Sequence, residues 1–397
     1  MKKILAFCKK EIMLLVALLA AIISLFITPP SKALLSGIDW KTLATLFMLL
    51  SVLDGFKHEN LFLPVIKLVG RLRSQLALSL FLIFGVFFSS MFVTNDVSLI
   101  IFIPLTILLF RAGGKEKYIL PVIVMENIAA VRGSLLTPFG SPQNLFLFSS
   151  SGIDVGRFLL MMLPLWLGSA VLIVLFTLFI YRRDLREPAR PRPEQDYPGA
   201  EAALSGEYPD HPQLTPAEGE WKPENRGKRI VYLVLFAVII ACIVSRTSLW
   251  PWVTLAVTAV LLIADRRVFL RVDYVLLLTF LCFFVFSSSI AGNPAISSFL
   301  RGAVGGNEYW WSIGLSQLIS NVPASIVLWP FSSSLKPLIY GLDSAGLVTI
   351  IGSLASVIAL RLYSKEYPGR AGRFMLVFEG YSLCFFAVVA PLQLLLL

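Results

Sequence analysis

Charge is scarce in these 397 residues: 15% are Asp, Glu, Lys or Arg, 57% are hydrophobic, and mean hydropathy is +0.81. That excludes a soluble globular domain and predicts a polytopic membrane protein. Only two histidines occur, His58 in an interfacial segment and His211 in a polar stretch, so no zinc site can be assembled. The four cysteines, Cys8, Cys242, Cys282 and Cys384, have no paired spacing, which reads as packed thiols and not as disulfides or metal ligands. The patterns H-E-x-x-H, G-x-x-x-x-G-K-[ST] and G-x-S-x-G are all missing. Without a nucleotide site, any transport is expected to be secondary, with no cofactor.

The net charge of +10 would by itself point to nucleic acid. The basic residues, however, cluster at the ends of apolar segments and do not interleave with stacking aromatics. This is the positive-inside pattern, and no nucleic-acid partner is expected. The apolar run 12–27 is longer than a signal-peptide core, and 28–32 makes a poor cleavage site, so an uncleaved first span with a cytoplasmic start is expected.

Spans are predicted at 11–28, 39–54, 158–181, 230–246, 249–264, 272–290 and 375–396, with a segment crossing at 341–361. Residues 57–73 suit a helix in the cytoplasmic interface. Residues 182–229, rich in proline and mixed charge, read as a flexible cytoplasmic linker. Two pairs of apolar arms, 75–93 with 97–111 and 309–319 with 324–339, meet at polar tips. These are Thr94-Asn95-Asp96 and Ser320-Asn321-Val322-Pro323, and both pairs read as re-entrant hairpins, with two full spans as the alternative for the first. Residues 291–308 are expected to stay outside, and the C-terminus ends outside.

One stretch organises the chain. Residues 133–144, inside the apolar segment 118–150, include Gly133, Thr137, Pro138, Gly140, Ser141, Pro142, Gln143 and Asn144. Two prolines among hydroxyls and amides break a helix, and bare backbone at membrane depth survives only inside protein or beside a wet cavity. Discontinuous helices of this kind build the midplane sites of secondary transporters.

Three motifs recur in order. Asp39-Trp40 returns as Asp273-Tyr274, 234 positions on. Thr94-Asn95 with Pro104 returns as Ser320-Asn321 with Pro330, 226 on. Leu135, Thr137, Gly140 and Ser141 return as Leu347, Thr349, Gly352 and Ser353, 212 on. The span count gives the two copies opposite orientation. The predicted architecture is therefore all-α, with two inverted-topology repeats, each carrying a re-entrant hairpin and a broken transmembrane helix. The predicted division is 1–38 first helix, 39–181 first repeat, 182–229 linker and 230–397 second repeat.

Asn95 and Asn321 with Thr94 and Ser320 line a site or cap the second arms. Asp96 carries a proton or cation, or caps its helix. Glu126 and Arg132, six residues apart, share no helix face; Arg132 is expected to snorkel to the cytoplasmic interface, with an anionic substrate as its alternative partner. Asp343 is expected to cap a helix, with proton transfer as the alternative. Glu379 is expected to be uninformative.

Those motifs resemble the ion transporter superfamily. Its members include citrate-transporter-like permeases, arsenite permeases, Na+/H+ antiporters of the same fold and divalent anion/sodium symporters. Thr94-Asn95-Asp96 and Ser320-Asn321-Val322-Pro323 look like the family's hairpin tips, and 133–144 and 351–356 like its unwound helices. The resemblance implies a scaffold domain, a transport domain made of hairpins and broken helices, alternating access, and frequently a homodimer. The symporters carry Ser-Asn-Thr at both tips; here the third positions are Asp96 and Val322. Asp96 fits proton coupling, or one sodium site. The expectation is an ion-coupled transporter, in a bacterial inner membrane, of a small anion or oxyacid. Its site would comprise Thr94, Asn95, Asp96, Thr137, Pro138, Gly140, Ser141, Pro142, Gln143, Asn144, Ser320, Asn321, Pro323, Thr349, Gly352 and Ser353. Asp96 and Asp343 are the coupling candidates, H+ or Na+ the coupling ion, and no metal is expected beyond a transported or coupling Na+. A Na+/H+ antiporter is the second reading. An intramembrane aspartyl enzyme built on Asp96 and Asp343 is a remote third, and a channel a further one.

Overall fold

The computed structural model of the chain describes residues 12–29, 32–59, 74–182 and 226–397. The expected interfacial helix at 57–73 and linker at 182–229 lie largely outside them, as do Cys8 and His211. Among the described residues the fold is all-helical. The first half runs α1 (Ile12–Ile27), α2 (Lys32–Ser36), α3 (Trp40–His58), α4 (Gln75–Val93), α5 (Asn95–Ala112), α6 (Ile119–Gly133), α7 (Pro142–Ser151) and α8 (Val155–Tyr181). The second runs α9 (Arg226–Ser245), α10 (Trp250–Asp265), α11 (Tyr274–Ala291), α12 (Pro294–Val304), α13 (Glu308–Ile319), α14 (Asn321–Leu328), α15 (Leu335–Ala345), α16 (Leu354–Glu366) and α17 (Ala371–Leu396). Five of these, α4, α8, α9, α11 and α17, are long and apolar enough to cross a membrane. α1, α8, α9 and α17 turn rows of large apolar side chains outward, such as Leu160, Val171 and Phe179 on α8, as lipid contact requires.

Helix starts follow from local chemistry. Asp39 accepts the Thr42 N–H at 2.9 Å before α3, and Asp273 accepts the Leu276 N–H at 2.9 Å before α11. α1, α3, α9, α10 and α11 pack as one group. At one end of this group Arg271 donates to Asp54 at 2.6 Å and to Asp265 at 3.3 Å. The second group holds α4 to α7 and α13 to α16, with α8 and α17 against α6. Its halves are crossed: α16 packs on α5 and α6, while α7 packs on α14 and α15. Arg111 on α5 clasps Glu366 of α16 at 2.8 Å and lies over the Tyr367 ring.

One stretch carries a helix beyond those expected, and one expectation needs correction. The stretch 291–308 contains a helix, α12, which begins because Asn293 Oδ1 accepts the Ala295 and Ile296 N–H groups. The second arm 324–339 does not run through. Its helix stops at Leu328, a 3-10 turn carries it to Phe331, and α15 starts afresh at Leu335. Pro330 supplies no N–H, and Ser333 donates its N–H (2.9 Å) and hydroxyl (2.5 Å) to Glu308 Oε1, which pins the turn. Pro104, by contrast, lies inside an unbroken α5.

Gly133 is where α6 meets α4. A Cβ there would stand 2.0 Å from the Phe87 carbonyl oxygen, and backbone cannot move aside as a side chain can. Gly133→Ala is therefore expected to cost about 1–3 kcal/mol. A lowered unfolding temperature in detergent would register it; an unchanged one would mean the two helices are not this close.

Candidate functional site

The tips come first. Thr94 has φ 69° and ψ 154°, and Ser320 has φ 69° and ψ 158°. Only three described non-glycine residues have positive φ, the third being Arg246, so two of the three are these tips. This backbone region is almost confined to glycine, and holding it costs about 1–3 kcal/mol per residue. Neither Thr94 nor Ser320 caps the helix it precedes, so the expected side-chain capping is not made. Asn95 Oδ1 takes the Asp96 N–H at 3.0 Å, and Ser320 reaches Asn321 Oδ1 at 3.4 Å. Both asparagines are buried and open their helices, while Asp96, half-buried, keeps Oδ1 without a partner and caps nothing.

The breaks lie beside the tips. Between α6 and α7, Thr137 donates to the Met91 carbonyl just before the first tip. Between α15 and α16, Thr349 donates to Gln317 Oε1 at 2.6 Å just before the second. Thr349 follows Thr137 by 212 positions and Gln317 follows Met91 by 226, the two offsets seen in the sequence. The carbonyls that each helix end leaves open are also filled in parallel. Trp166 donates to Gly133 O at 3.2 Å, and Gln317 to Ala345 O at 3.2 Å. Ser141 caps α7 by accepting the Asn144 N–H at 3.4 Å, with Pro142 in the first turn. Thr349 caps the 3-10 turn 350–352, and Ser353 precedes α16 without a side-chain cap. Gly140 and Gly352 sit tight against backbone, 2.5 Å from Ser134 O and 2.0 Å from Ala345 O for a notional Cβ. Pro138 and Pro323 are buried at the first break and the second tip.

The two breaks meet. Gln143 Nε2 donates to Asp343 Oδ1 at 3.2 Å, joining α7 to the last turn of α15. Asp343 sits at the end of its helix and starts none, so the expected capping role is corrected. Arg132 does not snorkel: it is 0% exposed. Its Nε donates to Ser169 at 2.9 Å, and Nη1 to Asp343 O at 3.3 Å and Ser344 at 3.4 Å. α15 offers carbonyls at the negative end of its dipole, and a cation placed there is stabilised. Ser344 continues to Gln393 (2.9 Å), which Tyr309 also reaches (2.7 Å). Arg132 Nη2, Asp343 Oδ2 and Asn144 Oδ1 are left without partners. Glu379 is not idle either, since it accepts the Ile350 N–H of the second break at 3.3 Å.

The predicted residues thus form two tip-and-break clusters linked through Gln143 and Asp343, and no hydrogen bond joins Asn95 to Asn321. The sequence did not single out Ser169, Gln317, Ser344 or Gln393. Gln393, an amide in an apolar run, was the one available signal. A cavity of about 670 Å³ opens between α3, α11, α7 and α14, but none of the predicted site residues line it. On its walls Phe146 and Phe284 pack edge to face at 5.4 Å. Among the described residues no cluster of His, Cys, Asp or Glu could hold a metal.

Apolar helices around polar, non-helical backbone define an integral membrane protein with an interior polar centre. The chain belongs to the citrate transporter family, which matches residues 4–359. It is similar to inner membrane protein YbiR of Escherichia coli, 33% identical over 86% of this chain and 84% of that protein. It is also similar to the uncharacterized transporter MJ0456 of Methanocaldococcus jannaschii, 29% identical over 86% and 85%. The protein is a membrane transporter.

Proposed function

We propose that the chain is an ion-coupled secondary active transporter of a small anion or oxyacid, carboxylate-like or arsenite-like, working by alternating access. One observation carries the reading: two tips with the same strained backbone, each followed by a buried asparagine opening a helix, and each entered by a helix whose last turn is bonded to the break beside it. Strain of this kind persists where function requires it. The matched bonds, at the offsets of the sequence repeat, support two inverted repeats with re-entrant hairpins meeting at the midplane. A fully buried Arg132 and the N-termini of α5, α7, α14 and α16 at the tips and breaks favour negative charge in the ligand. The family's description as citrate transporters supports a carboxylate, and the name of the Escherichia coli relative an inner-membrane location. No hydrogen bond joins Asp96 to Asp343, which does not favour an aspartyl enzyme.

Flux in proteoliposomes tests this, with citrate, other carboxylates, arsenite and sodium as probes under imposed pH and sodium gradients. Accumulation of an anion or oxyacid is expected. Exchange of sodium for protons alone would favour the antiporter. Asp96→Asn is expected to lower the gradient dependence of uptake while leaving exchange, and equal gradient dependence in the variant would remove Asp96 from coupling.

A further inference from the structure

Glu126 takes no part in the tips or the breaks. It lies midway along α6 at 0% exposure. Thr106 on α5 donates to its Oε1, and Oε2 has no partner. The next residue, Asn127, turns to α16, where its Nδ2 donates to Ser356 at 3.0 Å, and its Oδ1 is also without a partner. Glu126 and Asn127 thus bind α6 to α5 of one half and α16 of the other.

The elements packed on α6 bring no charge to this carboxyl. α4 carries none, and α5 has Asp96 and Arg111 at its two ends. α8 has Arg157 in its first turn and Tyr181 at its end, and the 3-10 turn before α6 has Glu116, Lys117 and Tyr118. α16 has Arg361, Lys365 and Glu366 with Tyr363, and α17 has Arg373 and Glu379 with Tyr381 and Cys384. Arg132 on α6 itself serves α15. Among the described residues, Thr106 is the one side chain that hydrogen-bonds the Glu126 carboxyl.

An ionised carboxylate taken from water without a counter-charge costs several kcal/mol, more than one hydroxyl returns. A bound proton removes the charge and turns an unpartnered oxygen into an O–H. A metal ion fits less well. α5, α6 and α16 are helical here, so their carbonyls are engaged, and a few side-chain oxygens fall short of the roughly six that a hard cation takes.

We propose that Glu126 is a proton-binding site in the membrane interior, occupied in this conformation, and that this carboxyl carries a proton during transport. The first half stands alone, while the second rests on the transporter reading. Because α5 and α16 close over the site and Arg111 clasps Glu366, release of the proton requires these helices to part from α6.

Infrared spectra of the purified full chain test the first half without any substrate. Wild type is expected to show a protonated-carboxyl C=O band at neutral pH that shifts in D2O and is missing in Glu126→Gln. Thr106→Val, which keeps the carboxyl and removes its donor, should move the same band upward, so the assignment survives poor folding of the Gln variant. A difference between wild type and Glu126→Gln confined to ionised-carboxylate bands, with no response to Thr106→Val, overturns the site. For coupling, citrate and arsenite are followed in proteoliposomes under a pH gradient. Each coupled proton corresponds to about tenfold accumulation per pH unit, and Glu126→Gln is expected to lose one such step, with exchange retained. Equal accumulation in both overturns the coupling role. Absence of any wild-type flux with the band present would count against the transporter reading and not against the site.

Discussion

Asn95→Ala and Asn321→Ala are each expected to lower flux by roughly 10–100-fold, the scale of losing a hydrogen bond to a charged ligand, about 1.5–3 kcal/mol. Stability should fall far less. Asn95 Oδ1 holds only the neighbouring Asp96 N–H, and Asn321 Oδ1 only a 3.4 Å contact from Ser320. Neither amide ties its tip to another helix. Their burial without such a role is what makes them ligand candidates, since a buried amide is otherwise expected to find structural partners. Because the tips share one backbone conformation, both variants should lose function to a similar degree. Normal flux in both, with intact folding, would remove the paired-tip site. Loss in one alone would mean that the third position, Asp96 against Val322, makes the two halves functionally unequal.

Where a residue's role is set by its neighbours in sequence, the chain could be read directly. The prolines and glycines of 133–144 end α6 and start α7 where the pattern predicts, because Pro142 fits a first turn and Ser141 is a natural cap. Most helix limits fall within a few residues of the apolar runs. Arg132 could not be read this way. A lone arginine beside an unwound stretch has the same sequence neighbours whether it reaches the lipid surface or the centre. What decides is Ser169 on α8 and the carbonyl end of α15, 37 and 211 positions away. Glu126 was opaque for a similar reason, since its partner lies on α5. The broken second arm depended on Glu308 accepting from Ser333, 25 positions on. The composition of 291–308 hid a helix of mixed polarity.

Arg132→Ala is expected to be the most destabilising single change, at about 3–5 kcal/mol, the usual cost of removing one member of a buried charged cluster. The loss would take a donor from Ser169, Ser344 and the Asp343 backbone carbonyl together, and would remove the positive charge nearest the Asp343 carboxyl, to which Gln143 donates. Arg132→Lys should recover only part of it, because a single ammonium cannot reproduce a fork that reaches α8 and α15 at once. If charge is the issue, Asp343→Asn should compensate. The double variant Arg132→Ala/Asp343→Asn should then be more stable than the sum of the single changes by about 0.5–3 kcal/mol. Thermal unfolding of the four proteins in one detergent measures that difference. Strict additivity would mean that Arg132 and Asp343 are neighbours without electrostatic dependence, so that the meeting of the two breaks is held by packing alone. A coupled pair would mean that whatever moves Asp343, a ligand at the breaks included, is felt by Arg132 and so by α6, α8 and α17 together.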